Sequence, residues 1–130
     1  MQYSKRNLIF GDWLKGKDVI TGSKYVLTAE TKPLKSQFKD KQGNEKMQDV
    51  SKIKLEGSSE ELNISLNRAT IDGLIDAFGA ESQLWIGKPL TAATEKVSVG
   101  GRRMTAVYLI PVSFELQEDN EGYMHIVRIG

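Results

Sequence analysis

The chain has 130 residues and no cysteine. That length suits one domain, and the missing thiols exclude disulfides, thiolate metal sites and cysteine nucleophiles together. The net charge of +1 hides an asymmetry: residues 1–54 hold twelve Lys or Arg against six Asp or Glu, and residues 55–130 hold six against eleven. A chain polarised in this way can present a basic face although its total is near neutral, because local fields steer ligands.

No apolar run approaches the ~18 residues of a membrane span. Near the N-terminus, Leu8-Ile9-Phe10 is too short for the core of a signal segment. The expectation is a soluble, cytoplasmic protein with no membrane partner. The opening to Gly22 is irregular, punctuated by Gly11, Gly16 and Gly22. Its apolar residues Leu8, Ile9, Phe10, Trp13 and Leu14 are expected to cover one end of the core.

From Lys24, "KYVLTAET" is rich in β-formers and continues through Pro33 and Leu34 as a first strand. Pro33 cannot donate to a ladder, which marks an edge or a bulge. A polar tip, "FKDKQGNEKMQ", follows. In "MQDVSKIKLEG", Ile53 and Leu55 alternate with Lys52, Lys54 and Glu56, the pattern of a half-buried strand. After the turn "GSSEE", "LNISLN" repeats it, with Leu62, Ile64 and Leu66 inward and Asn63 and Ser65 outward.

One helix is expected over "NRATIDGLIDAFG". Ile71, Leu74, Ile75 and Phe78 form a single apolar stripe, Asn67 suits the N-cap and Gly79 the stop. Gly73 inside it costs ~1 kcal/mol relative to alanine, so this helix depends on packing. Trp85 of "LWIGK" is expected under the core. A strand to Val99, a glycine turn at "VGGRR", the apolar strand "MTAVYLIPVSFEL", the turn "QEDNEG" and a last strand "YMHIVRI" complete the chain.

A helix between the third and fourth of five strands is the order of the OB barrel. The expected fold is therefore mainly β: one domain over 1–130, a five-stranded OB-like barrel with one helix, an irregular segment 1–22 packed on it, and a C-terminal extension, 117–130, with an extra strand. Another small α+β roll is the alternative.

The residues argue against catalysis. His125 is the lone histidine, no G-x-S-x-G or G-x-x-x-x-G-K-[ST] motif occurs, and the clustered carboxylates fall in turns. Neither a cofactor nor a metal is expected. On an OB barrel, ligands cross strands two and three between the loops joining strands one to two and four to five. Here both loops are basic, with Lys39, Lys41 and Lys46 in the first and Arg102 and Arg103 in the second. Lys52 and Lys54 occupy the intervening strand face. Single-stranded nucleic acid needs such cations for phosphates and aromatic faces for bases. Phe38, Tyr25 and Tyr108 are candidates for stacking, each open to a core role instead.

The stretch "LNRATIDGLIDAFGAESQLWIGKPLTAATEKVSVGGRRMTAVYL", with "WLKGKDVITGSKYVLTAE" upstream, resembles a pattern of small phage and prophage proteins. These have a strand ending in Leu-Asn, a helix, a "WIGK" turn, a lysine-valine strand and a glycine turn. The resemblance covers residues 13 to 110 and implies an OB-like fold and a role in single-stranded-DNA binding or replication, in the host cytoplasm if phage-encoded. Residues 111–130 run past the usual end, and Arg102-Arg103 is more basic than the pattern. The expected function is non-enzymatic binding of single-stranded DNA, or RNA, with little sequence preference and with homo-oligomerisation left open. A protein-interaction module or a structural assembly subunit is the alternative.

Overall fold

The computed structural model describes residues 11–39 and 45–129, with the side chains of residues 35–39, 45, 46 and 99 outside the description. The chain is mainly β, built on an antiparallel six-stranded sheet and a separate two-stranded hairpin. The first expected strand is two strands, β1 (Lys24–Leu27) and β2 (Lys32–Lys39), which follow one another along the same edge of β3 (Glu45–Leu55). Between them the ladder lapses, and the Ser51 hydroxyl donates to the Ala29 carbonyl at 2.8 Å. Pro33 lies on β2, which pairs only with β3 and so forms an edge.

On the other side of β3 lies β4 (Leu62–Leu66). β1 also pairs with β5 (Leu90–Val99), which forms a ten-pair hairpin with β6 (Arg102–Pro111). The turn between these two strands is Gly100-Gly101, φ +56° and +81°, a conformation at both positions that glycine adopts without strain.

β4 and β6 do not pair, so among the described residues the sheet does not close into a barrel. Other groups occupy the gap. Residues 12–14 run along the free edge of β4, with Asn63 N–H on Asp12 O at 2.8 Å and Leu14 N–H on Asn63 O at 2.9 Å. Gly16, in a 3₁₀ turn over Gly16–Asp18, packs against the Thr105 backbone of β6.

Helix α1 (Arg68–Phe78) serves the rest of that edge. Its N-cap Asn67 accepts from Thr70 N–H at 3.0 Å and donates through Nδ2 to Val107 O at 2.8 Å. The Leu109 N–H donates to the Thr70 hydroxyl at 3.2 Å. Backbone groups that a closing strand would have satisfied are met by two side chains instead.

The expected apolar stripe faces the main core. Ile71 and Leu74 are buried there with Leu27, Ile53, Ile64, Leu66, Trp85, Leu90 and Leu109, while Ile75 and Phe78 pack at its margin. Trp85 is under the core as expected, its indole N–H on Gly79 O at 2.8 Å. Gly79 ends the helix at φ +101°, ψ 172°, an extended left-hand conformation and not αL.

The C-terminal extension differs from expectation. The apolar run "MTAVYLIPVSFEL" breaks after Pro111, where Ser113 takes φ +70°, and β7 (Phe114–Glu118) pairs with β8 (Met124–Arg128) as a hairpin of its own. Phe114 and Ile126 form a second small core with Tyr108, flanked by Ala69 and Ala77 of the helix. Gly73 belongs to this contact, since a Cβ there would sit 2.9 Å from Ile126 Cγ2.

Candidate nucleic-acid interface

Side chains alternate across a strand, and residues directly opposite in a pair share a face. Tyr25, Leu27, Ile53 and Leu55 therefore face one way, the first three into the main core and Leu55 at its exposed margin, and Val26 and Lys54 the other. The same parity puts Lys52 and Lys54 on the outer face with Lys24 and Lys32, the latter opposite Val50. Along β3, Lys52 and Lys54 are two residues apart, about 7 Å. Lys24 and Lys32 are exposed; Lys52 and Lys54 are half-buried.

Two of these cations, Lys24 and Lys52, are held by hydrogen bonds. Lys52 Nζ donates to Asn63 Oδ1 at 3.0 Å, and Lys24 Nζ to Thr91 Oγ1 at 2.6 Å. Glu56, whose N–H donates to Lys24 O, adds a negative charge at one end of the row. Asn63 was expected to face solvent, yet it is 2% exposed. The segment before Leu14 covers it, and its Nδ2 donates to Gly11 O at 3.3 Å.

That segment delivers a residue the sequence reading placed in the core. Trp13 forms a parallel bridge with Asn63, so it continues the row Lys52–Asn63 across the outer face. It is 36% exposed. The bridge joins residues fifty positions apart, and no local pattern announces it.

Tyr25 and Tyr108, expected as alternatives for stacking, are 6% and 7% exposed and present no ring face to a base. Tyr25 is on the inner face beside Leu55 and Leu90. Tyr108 is on the outer face of β6, but the β7–β8 hairpin covers it with Phe114 and Ile126. Burial raises the pKa of both phenols, with the charges of Asp18 on Tyr25 and Glu95 on Tyr108 adding to it.

Arg102 and Arg103 are exposed at the tip of the β5–β6 hairpin. As neighbours on one strand they face opposite ways. Arg103 shares its face with Lys96 and Thr105, Arg102 with Val97 and Met104, so one ligand surface cannot take both. The β2–β3 tip carries Lys39 and Lys46, of which the strand positions alone are described, as for Phe38; Lys41 lies outside the described residues.

The registers also show that the two hairpins leave the β1–β5 pair in opposite directions. Each runs on for about 30 Å of strand. The lysine row lies between them, and the β7–β8 hairpin interrupts the outer face on the β6 side. Among the described residues no group of three His, Asp or Glu is placed to hold a metal, and no helix is long and apolar enough to cross a membrane. Comparison with protein-family models, with curated proteins and with solved structures finds no match for this chain.

Proposed function

We propose that the protein binds single-stranded nucleic acid, DNA first, on the outer face of β1, β3 and β4, without catalysis and with little sequence preference. In this reading β1 and β2 count as one bent strand, and the order strand, strand, strand, helix, strand, strand is that of an OB-like fold. Its closing pair is replaced by residues 12–16 and the helix cap.

Lys24, Lys32, Lys52 and Lys54 meet phosphates, and Trp13 supplies the ring on which a base stacks. The cations of the two hairpins, Lys39 and Lys46 at one end and Arg102 or Arg103 at the other, extend the electrostatic footprint along the strand direction. The phage-protein resemblance points to the same class of ligand.

The observation that carries the reading is the half-exposed Trp13 in register, through Asn63, with Lys52, an aromatic ring in line with a hydrogen-bonded cation. A stacked base contributes ~1–3 kcal/mol, so Trp13→Ala should weaken oligo-dT binding about 5- to 150-fold in fluorescence anisotropy. Its amide spectrum should remain native away from residues 11–15. Wild-type affinity in that variant would remove the stacking platform from the account.

A further inference from the structure

On the inner side of the same N-terminal segment lies a cleft of about 490 Å³, between residues 12–18 and the ends of β1, β3 and β4. That volume is in the range of small-ligand sites. Tyr25, Leu55 and Leu62 contribute its apolar part, and Asp12, Asp18 and Glu60 its carboxylates, against the one cation Lys15. None of the three carboxylates forms a salt bridge among the described residues.

Tyr25 supplies the second, independent sign. The residue is 94% buried by its 6% exposure, and buried phenols ordinarily find a hydrogen-bond partner. Its hydroxyl has none among the described residues, yet it is not among the polar atoms sealed from solvent, so it opens on the cleft the residue lines. Asp18 is close enough for its charge to be felt at that phenol.

A hydroxyl and three carboxylates without partners among the described residues call for a ligand rich in donors and positively charged. The exposed Leu55 and half-buried Leu62 call for an aliphatic stem. An anion would meet net negative charge, and a neutral alcohol would leave most of the acceptors unused.

We propose that this cleft binds an alkyl guanidinium or alkyl ammonium group, the cation against Asp12, Asp18 and Glu60 and the stem on Leu55 and Leu62. The group could arrive as a free small cation or as the arginine or lysine side chain of a peptide; the chemistry of recognition is shared. The cleft borders the nucleic-acid face at Trp13, which lines both, but its carboxylates are distinct from the lysine row and its ligand has the opposite charge.

The test is an amide NMR titration of the full chain with N-butylguanidinium, with 1-pentanol and hexanoate as neutral and anionic comparisons. Saturable shifts confined to residues 12–18, Tyr25 and 55–62 are expected with butylguanidinium and not with hexanoate. Asp18→Asn should weaken the binding at least about fivefold and Tyr25→Phe severalfold, while Glu115→Gln, on the distant hairpin, should leave it unchanged. A parallel titration with acetyl-Gly-Arg-Gly-amide assigns the source. Binding as tight as butylguanidinium or tighter identifies a peptide side chain, and weaker binding a free cation. Absent saturation, an equal response to 1-pentanol, or unchanged affinity in a natively folded Asp18→Asn would each overturn the proposal.

Discussion

Asp119 organises the turn between β7 and β8 with both carboxylate oxygens. Oδ1 accepts from the N–H groups of Glu121 and Tyr123, each at 2.9 Å, and Oδ2 lies 2.7 Å from His125 Nε2. The His125 hydrogen bond first, then the backbone donors, hold this carboxyl below its ordinary range. A carboxylate whose folded pKa is depressed adds stability above its unfolded pKa of ~3.9, and that stability is lost as pH falls through the lower folded value. The side chain is exposed, so the effect should be confined to the turn. Amide protection at Glu121 and Tyr123, corrected for intrinsic exchange, should decline as pH drops below ~4, and Asp119→Ala should show low protection at every pH. Flat protection in wild type across that range would contradict this assignment.

At the scale of elements, α1 is joined to two partners by features of opposite legibility. The stripe Ile71, Leu74, Ile75 and Phe78 was visible as a period, and so was the Asn67 cap. Invisible were the second bond of Asn67, to Val107 O, and the use of Gly73, because both depend on what the tertiary fold brings alongside. Gly73 read locally as a cost, but a Cβ there would press 2.9 Å from Ile126 Cγ2 and 3.0 Å from Ile126 Cβ. Gly73→Ala gains ~1 kcal/mol of helix propensity yet should lower stability by a net ~1–2 kcal/mol in urea denaturation through overpacking. Adding Ile126→Ala should turn the Gly73→Ala change neutral or favourable, a coupling that additive effects would refute. Asn67→Ala should cost ~1–3 kcal/mol, since it removes the cap and leaves Val107 O without its donor. The break in "MTAVYLIPVSFEL" was equally hidden, because its apolar run continues across the point where Ser113 adopts φ +70°.

At the scale of the whole molecule, the main sheet is open among the described residues and its gap is bridged by residues 12–16 and the helix cap, and that arrangement decides where the proposed sites are. Alternation revealed Lys52 and Lys54, since both stand on one strand. Lys24, Lys32 and Trp13 join them only through cross-strand registers and the bridge to Asn63, which no local pattern shows. Arg102 and Arg103 were read as part of the turn; because the strand already begins at Arg102, local alternation sends them to opposite faces. Gly16 is the point where the bridge meets β6: a Cβ there would stand 2.7 Å from Thr105 O, a backbone atom unable to swing aside. Gly16→Ala should therefore lower the melting temperature and reduce amide protection at Leu14 and Asn63, whose ladder bonds it displaces. Unchanged protection there would show that the bridge does not depend on that close approach.

Oligo-dT binding measured by anisotropy over a range of salt tests the central reading most directly. Four lysines meeting phosphates predict log affinity falling with log salt at a slope of about −2.8, that is −0.7 for each on a single strand. Combined Lys24→Ala, Lys32→Ala and Lys54→Ala substitutions should make that slope shallower by about 2 while the protein stays folded, since exposed or half-exposed lysines carry little stability. Affinity indifferent to salt, or a folded triple variant binding with the wild-type slope, would contradict it.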